Sequence, residues 1–94
     1  MMKQLKTHVV VLWENGEDGS WEAVRLLKNN EQVLSAIKEM LIQDVMADNI
    51  TPFEEWCDEI RVCQTVDEVI RAYEEFKYTF EIRSGYHFQW ISES

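Results

Sequence analysis

Two helix-start signals divide the second half of this sequence, and they constrain the fold more than any other feature. Each is a Thr-x-x-Glu capping box, in which the threonine caps a helix and the glutamate reaches back to the cap. One runs from Thr51 to Glu54 with Pro52 at the first helical position, and the other runs from Thr65 to Glu68. The helices that follow have only about two and about three turns, too few to be stable alone. We therefore expect them to pack against other parts of the chain.

Apolar residues recur at helical spacing in three segments. A first helix is expected over residues 31–47, with Asn29 or Asn30 as its N-cap and Gln32 in capping-box position after Asn29. Each helix has a stripe of apolar residues that should be buried. The stripe of the first helix is Leu34, Ile37, Leu41 and Val45, and that of the second is Phe53, Trp56, Cys57 and Ile60. The stripe of the third helix is Val66, Val69, Ile70, Tyr73 and Phe76.

Strand patterns lie on both sides of the helical segment. Residues 5–13 are β-branched and apolar, and because residues 9–13 are apolar on both faces, this strand should be central in its sheet or covered on both sides. Residues 20–28 are expected to return as the second strand of a hairpin. Residues 78–83 and 86–91 alternate between apolar and polar, which predicts two further strands joined by a three-residue connection or a bulge at Gly85.

The predicted order is therefore ββαααββ. We expect one α+β domain over residues 1–94, with a mostly antiparallel sheet of about four strands and the helices packed on one face. In this fold the apolar face of the second helix would be buried with the strand aromatics Phe80, Phe88 and Trp90.

The longest uninterrupted apolar run covers five residues, from Val9 to Trp13, which is too short for a membrane span or a secretory signal. We therefore expect a cytoplasmic protein. In that compartment Cys57 and Cys63 would be reduced thiols, with Cys57 buried and unreactive.

No catalytic motif is visible. The glycine pattern lacks the residues that cradle phosphate, the serines form no nucleophile elbow, and His8 and His87 have no partner at a recognisable spacing. A zinc site would need both cysteines and both histidines to converge from distant segments. We expect neither an enzyme nor a metal or other cofactor.

The charge is strongly negative and unevenly distributed. The chain carries eighteen acidic and nine basic residues, for a net charge of −9. Residues 1–29 sum to zero, whereas residues 39–75 hold eleven acids and only Arg61 and Arg71, so the whole excess lies there. An acidic field of this density repels nucleic acids and anionic membranes and attracts a basic protein surface.

Acid doublets concentrate this charge on the second and third helices. Side chains four residues apart on a helix are about 6 Å apart, which is close to the spacing of successive phosphates on a nucleic-acid strand. Glu59, Glu74 and Glu75 lie near C-terminal helix ends, where the helix dipole disfavours acids. The candidate partner-binding residues are Glu54, Glu55, Asp58, Glu59, Asp67, Glu68, Glu74 and Glu75.

This pattern favours a small protein-binding inhibitor whose acidic helical face docks on the basic, nucleic-acid-binding groove of a partner. In size, charge and single-domain organisation the chain resembles phage-type anti-restriction and anti-CRISPR nucleic-acid mimics, although it contains no motif of such a family. Three alternatives stay open. The first is an immunity or antitoxin-type partner with Trp21 or Tyr86 as its aromatic anchor. The second is an accessory homodimer that pairs through an edge strand, and the third is a domain whose acids only keep it soluble.

Overall fold

The computed structural model describes residues 5–48 and 53–93, and this part of the chain contains three strands and three helices in the order ββαααβ. The strands are β1 (Leu5–Glu14), β2 (Trp21–Lys28) and β3 (Gly85–Glu93), and the helices are α1 (Glu31–Ala47), α2 (Phe53–Val62) and α3 (Val66–Thr79). Backbone contacts divide the chain into a sheet unit, residues 1–29 and 83–94, and a helical unit, residues 30–82.

The sheet unit is antiparallel throughout, in the order β2-β1-β3. The central position of β1, predicted from its two apolar faces, is confirmed. Two irregularities in register leave Val24 of β2 and Thr7 of β1 without an opposite residue. Each is a bulge, which bends and twists the strand locally.

The register assigns the side chains of the sheet to two faces, because residues opposite one another point to the same side. One face carries Val9 and Val11, which are fully buried, and the rings of Trp13 and Tyr86, whose centroids are 4.9 Å apart. The other face, called here the exposed sheet face, consists of His8, Val10, Leu12 and Glu14 of β1, Trp21, Ala23, Leu26 and Lys28 of β2, and Gly85, His87, Gln89 and Ile91 of β3.

A tight loop connects β1 to β2 at the predicted turn. The Asn15 side chain accepts a hydrogen bond from the Glu17 N–H, and the Asp18 side chain accepts one from the Ser20 N–H, at 2.8 and 2.9 Å. Gly19 has a φ of 72°, a left-handed conformation that favours glycine.

The helical unit follows the predicted amphipathic patterns closely. α1 has its predicted limits, and its N-cap is Asn30, whose side chain accepts a hydrogen bond from the Gln32 N–H at 3.0 Å. Thr65 caps α3 as predicted and accepts from the Glu68 N–H at 3.1 Å. The predicted cap of α2, Thr51 with Pro52, lies outside the described residues.

The predicted apolar stripes of the helices face the interior of this unit. Ile37, Leu41 and Val45 of α1 are buried, as is the whole predicted stripe of α3. On α2, Cys57 and Ile60 are buried and Phe53 and Trp56 are half-buried. The Trp56 ring lies edge-on to two α3-side rings, with centroids 5.6 Å from Phe76 and 5.9 Å from Phe80. The burial of this helix face with Phe88 and Trp90, and the packing of the helices on one side of the sheet, stay predictions.

The predicted strand over residues 78–83 is wrong, and with it the ββαααββ order and the hairpin to residues 86–91. Tyr78 and Thr79 instead form the last residues of α3. The alternation of Tyr78, Phe80 and Ile82 coincides with a helical series in which Phe80 lies four residues after Phe76, and their rings are 5.3 Å apart. The C-terminal strand therefore pairs with β1, where Trp90 is opposite Val9.

Candidate protein-binding face

The eight candidate acids all lie at the surface of α2 and α3. Seven are exposed and Asp67 is half-buried. Their placement follows from the amphipathic pattern, because the apolar stripe of each helix turns inward and leaves the doublets on the outer side. The acidic face, as the term is used below, consists of Glu54, Glu55, Asp58, Glu59, Asp67, Glu68, Glu74 and Glu75.

Three of these carboxylates have local partners. Asp58 forms an ion pair with Arg61 at 2.8 Å, and Asp67 forms one with Arg71 at 3.1 Å. Both pairs join residues three or four apart on one helix, a spacing that is visible in the sequence. Glu68 closes the start of α3 by accepting a hydrogen bond from the Gln64 N–H at 3.1 Å.

The other five carboxylates form no ion pair within residues 5–48 and 53–93; they are Glu54, Glu55, Glu59, Glu74 and Glu75. Two of them, Glu54 and Glu55, lie in the first turn of α2, where the helix dipole stabilises acids. Glu59, Glu74 and Glu75 have no such local stabilisation. Among the described residues these three form no ion pair, and they lack the favourable helix-dipole position of Glu54 and Glu55.

A shallow groove of about 350 Å³ runs between the C-terminal half of α2 and the outer side of α3. Glu59, Glu68 and Glu75 line it together with Arg71, and its remaining lining is Val62, Cys63 and Ala72. The groove thus places three candidate acids from two helices beside a small apolar surface. Sequence spacing within one helix does not reveal this association, because it depends on how α2 and α3 pack.

Both cysteines are free thiols, and neither is poised as a nucleophile. Cys57 is buried, and Cys63 is half-buried with its Sγ donating to the Glu59 carbonyl oxygen at 3.1 Å. Burial raises the pKa of both thiols, and the neighbouring Glu68 raises the pKa of Cys63 further. A raised pKa keeps the thiol protonated at neutral pH, and the thiolate is the reactive form.

A polar cluster lies where the C-terminal halves of α1 and α3 meet. The buried Tyr73 donates a hydrogen bond from its hydroxyl to Asp44 at 2.5 Å, and the Lys77 ammonium lies 5.6 Å from the Tyr73 ring centre. Burial, followed by the nearby Asp44 carboxylate, raises the pKa of Asp48, while Lys77 acts to lower it. The hydrogen bond between Tyr73 and Asp44 joins α3 to α1 within the helical unit.

The sheet brings together a second polar group that sequence spacing did not reveal. His87 Nε2 lies 2.9 Å from a Glu14 carboxylate oxygen and 3.0 Å from the Arg83 carbonyl oxygen. The Trp21 ring stacks on the His87 ring with centroids 4.2 Å apart. The pairing of β1 with β3 creates this contact, and the sequence analysis had paired β3 with a different segment.

Within the described chain, no three His, Cys, Asp or Glu side chains are placed to hold a metal ion. None of the helices in that part is long and apolar enough to cross a membrane. Comparison with protein-family models, with curated proteins and with solved structures finds no match to this chain.

Proposed function

We propose that this chain is a protein-binding inhibitor. It docks its acidic face on the basic, nucleic-acid-binding groove of a partner protein and thereby excludes the nucleic acid. The observation that carries the proposal is the set of five carboxylates on α2 and α3 that form no ion pair within the described residues. Lysine and arginine side chains of a partner would supply the missing counter-charges.

The distribution of charge supports docking through the helices rather than through the sheet. The helical unit, residues 30–82, holds thirteen acidic and four basic residues, for a net charge of −9. The sheet unit holds five of each and is neutral. A basic partner is therefore drawn toward one part of the chain, which sets the orientation of the encounter as well as its rate.

The groove between α2 and α3 supports recognition of single basic side chains. A lysine or arginine can lay its aliphatic stem along Val62 and Ala72 while its charged end reaches Glu59 or Glu75. A basic side chain of this kind has an apolar stem and a charged end, and the groove offers an apolar surface and acids to both. The ion pairs of Asp58 and Asp67 make those two residues weaker contributors than the sequence analysis had assumed.

The immunity-type alternative gains support from a different residue than the two first named. Tyr86 is half-buried against Trp13, and Trp21 lies on the neutral sheet. Tyr78 of α3, however, is 86% exposed and lies one helical turn from Glu74 and Glu75. An exposed aromatic side chain next to unpaired acids is the arrangement expected of an anchor for a single toxin.

A charge-reversal variant tests the proposal. Glu54, Glu55, Glu74 and Glu75 changed together to lysine alter the net charge from −9 to −1 without breaking an observed ion pair. The matched control reverses four other exposed acids and makes the same change in net charge. These acids are Glu17, Glu22, Glu31 and Glu39. Each protein is immobilised, exposed to a lysate at low salt, and washed with either double-stranded DNA or polyglutamate of equal charge.

We expect the wild-type protein and the control to retain the same basic proteins, and DNA to release them more effectively than polyglutamate does. The variant reversed on the acidic face should retain none of them. Retention by that variant would refute the proposal. The immunity-type alternative would be favoured by two results together. Polyglutamate would release the retained proteins as readily as DNA does, and the Tyr78→Ala variant would no longer bind them.

A further inference from the structure

The exposed sheet face carries three large apolar side chains that are exposed to solvent. Leu26 is 62% exposed, Trp21 53% and Ile91 43%, and all three point to this one face. Half-buried Val10 and Leu12 of the central strand lie between them. Polar side chains, among them Lys28, Glu14 and Gln89, lie beside these apolar residues, and such a mixture occurs in protein–protein interfaces.

The charge of the chain restricts what this face can contact. Two copies repel one another through their helical units, each with a net charge of −9, whereas the sheet unit is neutral. The exposed sheet face therefore offers the surface on which a second copy meets the least repulsion. Its own charges are arranged with a sign change along the strands, from Lys28 at one end to Glu14 at the other.

The register makes this face self-complementary about a two-fold axis perpendicular to the strands. Two sheets stacked about that axis bring each end of the face onto the opposite end of the other copy. The Lys28 end of one copy then lies over the Glu14 end of the other, so the sign change along the strands brings opposite charges together. Ile91 lies opposite Gly85, a position with no side chain in its way.

The middle of the face is complementary in size under the same operation. Leu26 lies opposite Ala23, so a large side chain meets a small one, and Val10 lies opposite Leu12. Gln89 lies opposite His87, which puts a polar side chain against another polar side chain. Matching of both charge and size under one symmetry operation is what an isologous interface requires.

We propose that the exposed sheet face is the contact surface for a second copy of this chain, stacked face to face about a two-fold axis perpendicular to the strands. The three strands each span about seven residues, four of which point to this face, and together they cover roughly 14 by 24 Å. This footprint is smaller than that of a stable interface, which buries about 1,200–2,000 Å² in total. The dimer is therefore weak and depends on protein concentration.

The inference does not rest on the function proposed for the helices, and the two respond to salt in opposite ways. Salt screens the attraction between the acidic face and a basic partner, so that binding weakens. Salt also screens the repulsion between two negatively charged copies, so the dimer fraction rises. A failure of one proposal is therefore recognisable without a failure of the other.

Sedimentation equilibrium over a wide concentration range tests the proposal with a matched pair of variants. Leu26→Glu introduces a charge at the most exposed of the three apolar side chains of the face. Val62→Glu makes the same change on α2, at a side chain that is 74% exposed. Wild type and Val62→Glu should gain mass with concentration, while Leu26→Glu should remain monomeric. Thermal unfolding of each protein checks that it folds.

Nuclear magnetic resonance of the wild-type protein gives a readout that needs no variant. On dilution, the indole N–H signal of Trp21 and the amide signals of β2 should shift, and those of α3 should not. A wild-type protein that is monomeric throughout, dilution shifts confined to α2 and α3, or equal loss of dimer in both glutamate variants would each overturn the proposal.

Discussion

Glu81 ends α3 in a conformation that costs free energy. Its φ is 56°, in the left-handed region that side chains with a Cβ disfavour by about 1–2 kcal/mol. The conformation allows two hydrogen bonds that close the helix, from the Glu81 N–H to the Tyr78 carbonyl at 3.2 Å and from the Ile82 N–H to the Lys77 carbonyl at 2.9 Å. This is a Schellman motif, in which glycine is the usual residue.

Glu81→Gly should therefore stabilise the protein. Glycine removes the left-handed penalty but loses more conformational freedom on folding, which leaves a net gain of about 0.5–1 kcal/mol. For a chain of this size the melting temperature should rise by about 2–8 °C, which thermal unfolding measures. Glu81→Ala removes the same charge while keeping the Cβ. An equal gain in Glu81→Ala would show that charge, not backbone strain, is responsible.

Asp48 at the end of α1 should destabilise the folded chain when it is ionised. Burial and then Asp44 raise its pKa above the ordinary value of 3.8, so the folded state favours the protonated form. The cost is present above the folded pKa and disappears as the pH falls below 3.8. Asp48→Asn should thus increase the free energy of unfolding at neutral pH and have no effect at low pH.

Asp18 provides a control, because its ionisation should change the stability of the folded chain in the opposite direction to that of Asp48. Hydrogen bonds from Ser20 lower the pKa of Asp18, so its ionised form is favoured by the fold. Asp18→Asn should lose stability at neutral pH, and the loss should vanish once the pH falls below the folded pKa. Denaturant unfolding of both variants across this range compares the two. A gain for Asp18→Asn, or a loss for Asp48→Asn, would contradict the assignment of causes.

At the scale of elements, the strong local signals of the sequence were sufficient for most of the helical unit. The limits of α1, the Thr65 cap and the buried stripe of α3 follow from capping chemistry and helical spacing, which act over a few residues. The central position of β1 followed from its two apolar faces. These are features in which local preference and tertiary structure agree.

The C-terminal end of α3 could not be located from the sequence, for an identifiable reason. A helix end is normally marked by glycine, and here Glu81 takes that position, so no stop signal separates α3 from the residues that follow. Tyr78, Phe80 and Ile82 also fit a strand period. Only the packing of Phe80 against Trp56 and Phe76 decides for the helix, and that packing is tertiary.

The acidic face likewise has features that local sequence patterns predict and others that depend on tertiary packing. The eight acids were placed on the outer sides of their helices by pattern alone. The ion pairs of Asp58 and Asp67 were readable from their spacing to Arg61 and Arg71, but the sequence analysis did not apply that rule. The groove that joins Glu59, Glu68 and Glu75 was out of reach, because it arises from the contact of α2 with α3.

Trp56 joins α2 to α3, so its removal tests this contact. Its half-buried ring contacts Phe76 and Phe80 edge-on, and truncation leaves a cavity in an aromatic cluster. Trp56→Ala should lower the free energy of unfolding by about 3 kcal/mol. Thr79→Ala at the exposed end of α3 should change it by less than about 0.5 kcal/mol. Urea unfolding gives both values, and similar values for the two variants would contradict the cluster.

At the scale of the whole chain, the net charge is confined to one unit and is separated from the neutral sheet unit. The helical unit carries all of the net charge, whereas large exposed apolar side chains occur in both units, among them Val62 and Tyr78 in the helical unit and Trp21, Leu26 and Ile91 on the exposed sheet face. A soluble protein does not require this separation, because mixed charges over the whole surface serve solubility better. The separation supports two different contact surfaces, one for a basic partner and one for a second copy.

The separation also predicts how salt acts on folding. Thirteen acids and four basic residues within residues 30–82 repel one another in the folded state more than in the expanded unfolded chain, which lowers stability. Raising the salt concentration from about 10 mM to about 0.5 M shortens the Debye length from about 30 Å to below 10 Å and removes most of this repulsion. The melting temperature at neutral pH should therefore rise with salt.

The variant with Glu54, Glu55, Glu74 and Glu75 reversed to lysine should melt at a higher temperature than the wild type at low salt. Its melting temperature should be nearly independent of salt, because the reversals leave residues 30–82 with a net charge of only −1. The control reversed at Glu17, Glu22, Glu31 and Glu39 changes two acids of that segment and should keep about half of the dependence. Sodium chloride and sodium sulfate are compared at equal ionic strength to separate screening from salting-out. If the wild-type melting temperature is flat or falls with ionic strength, the acids of α2 and α3 do not repel one another enough to need a partner's counter-charge.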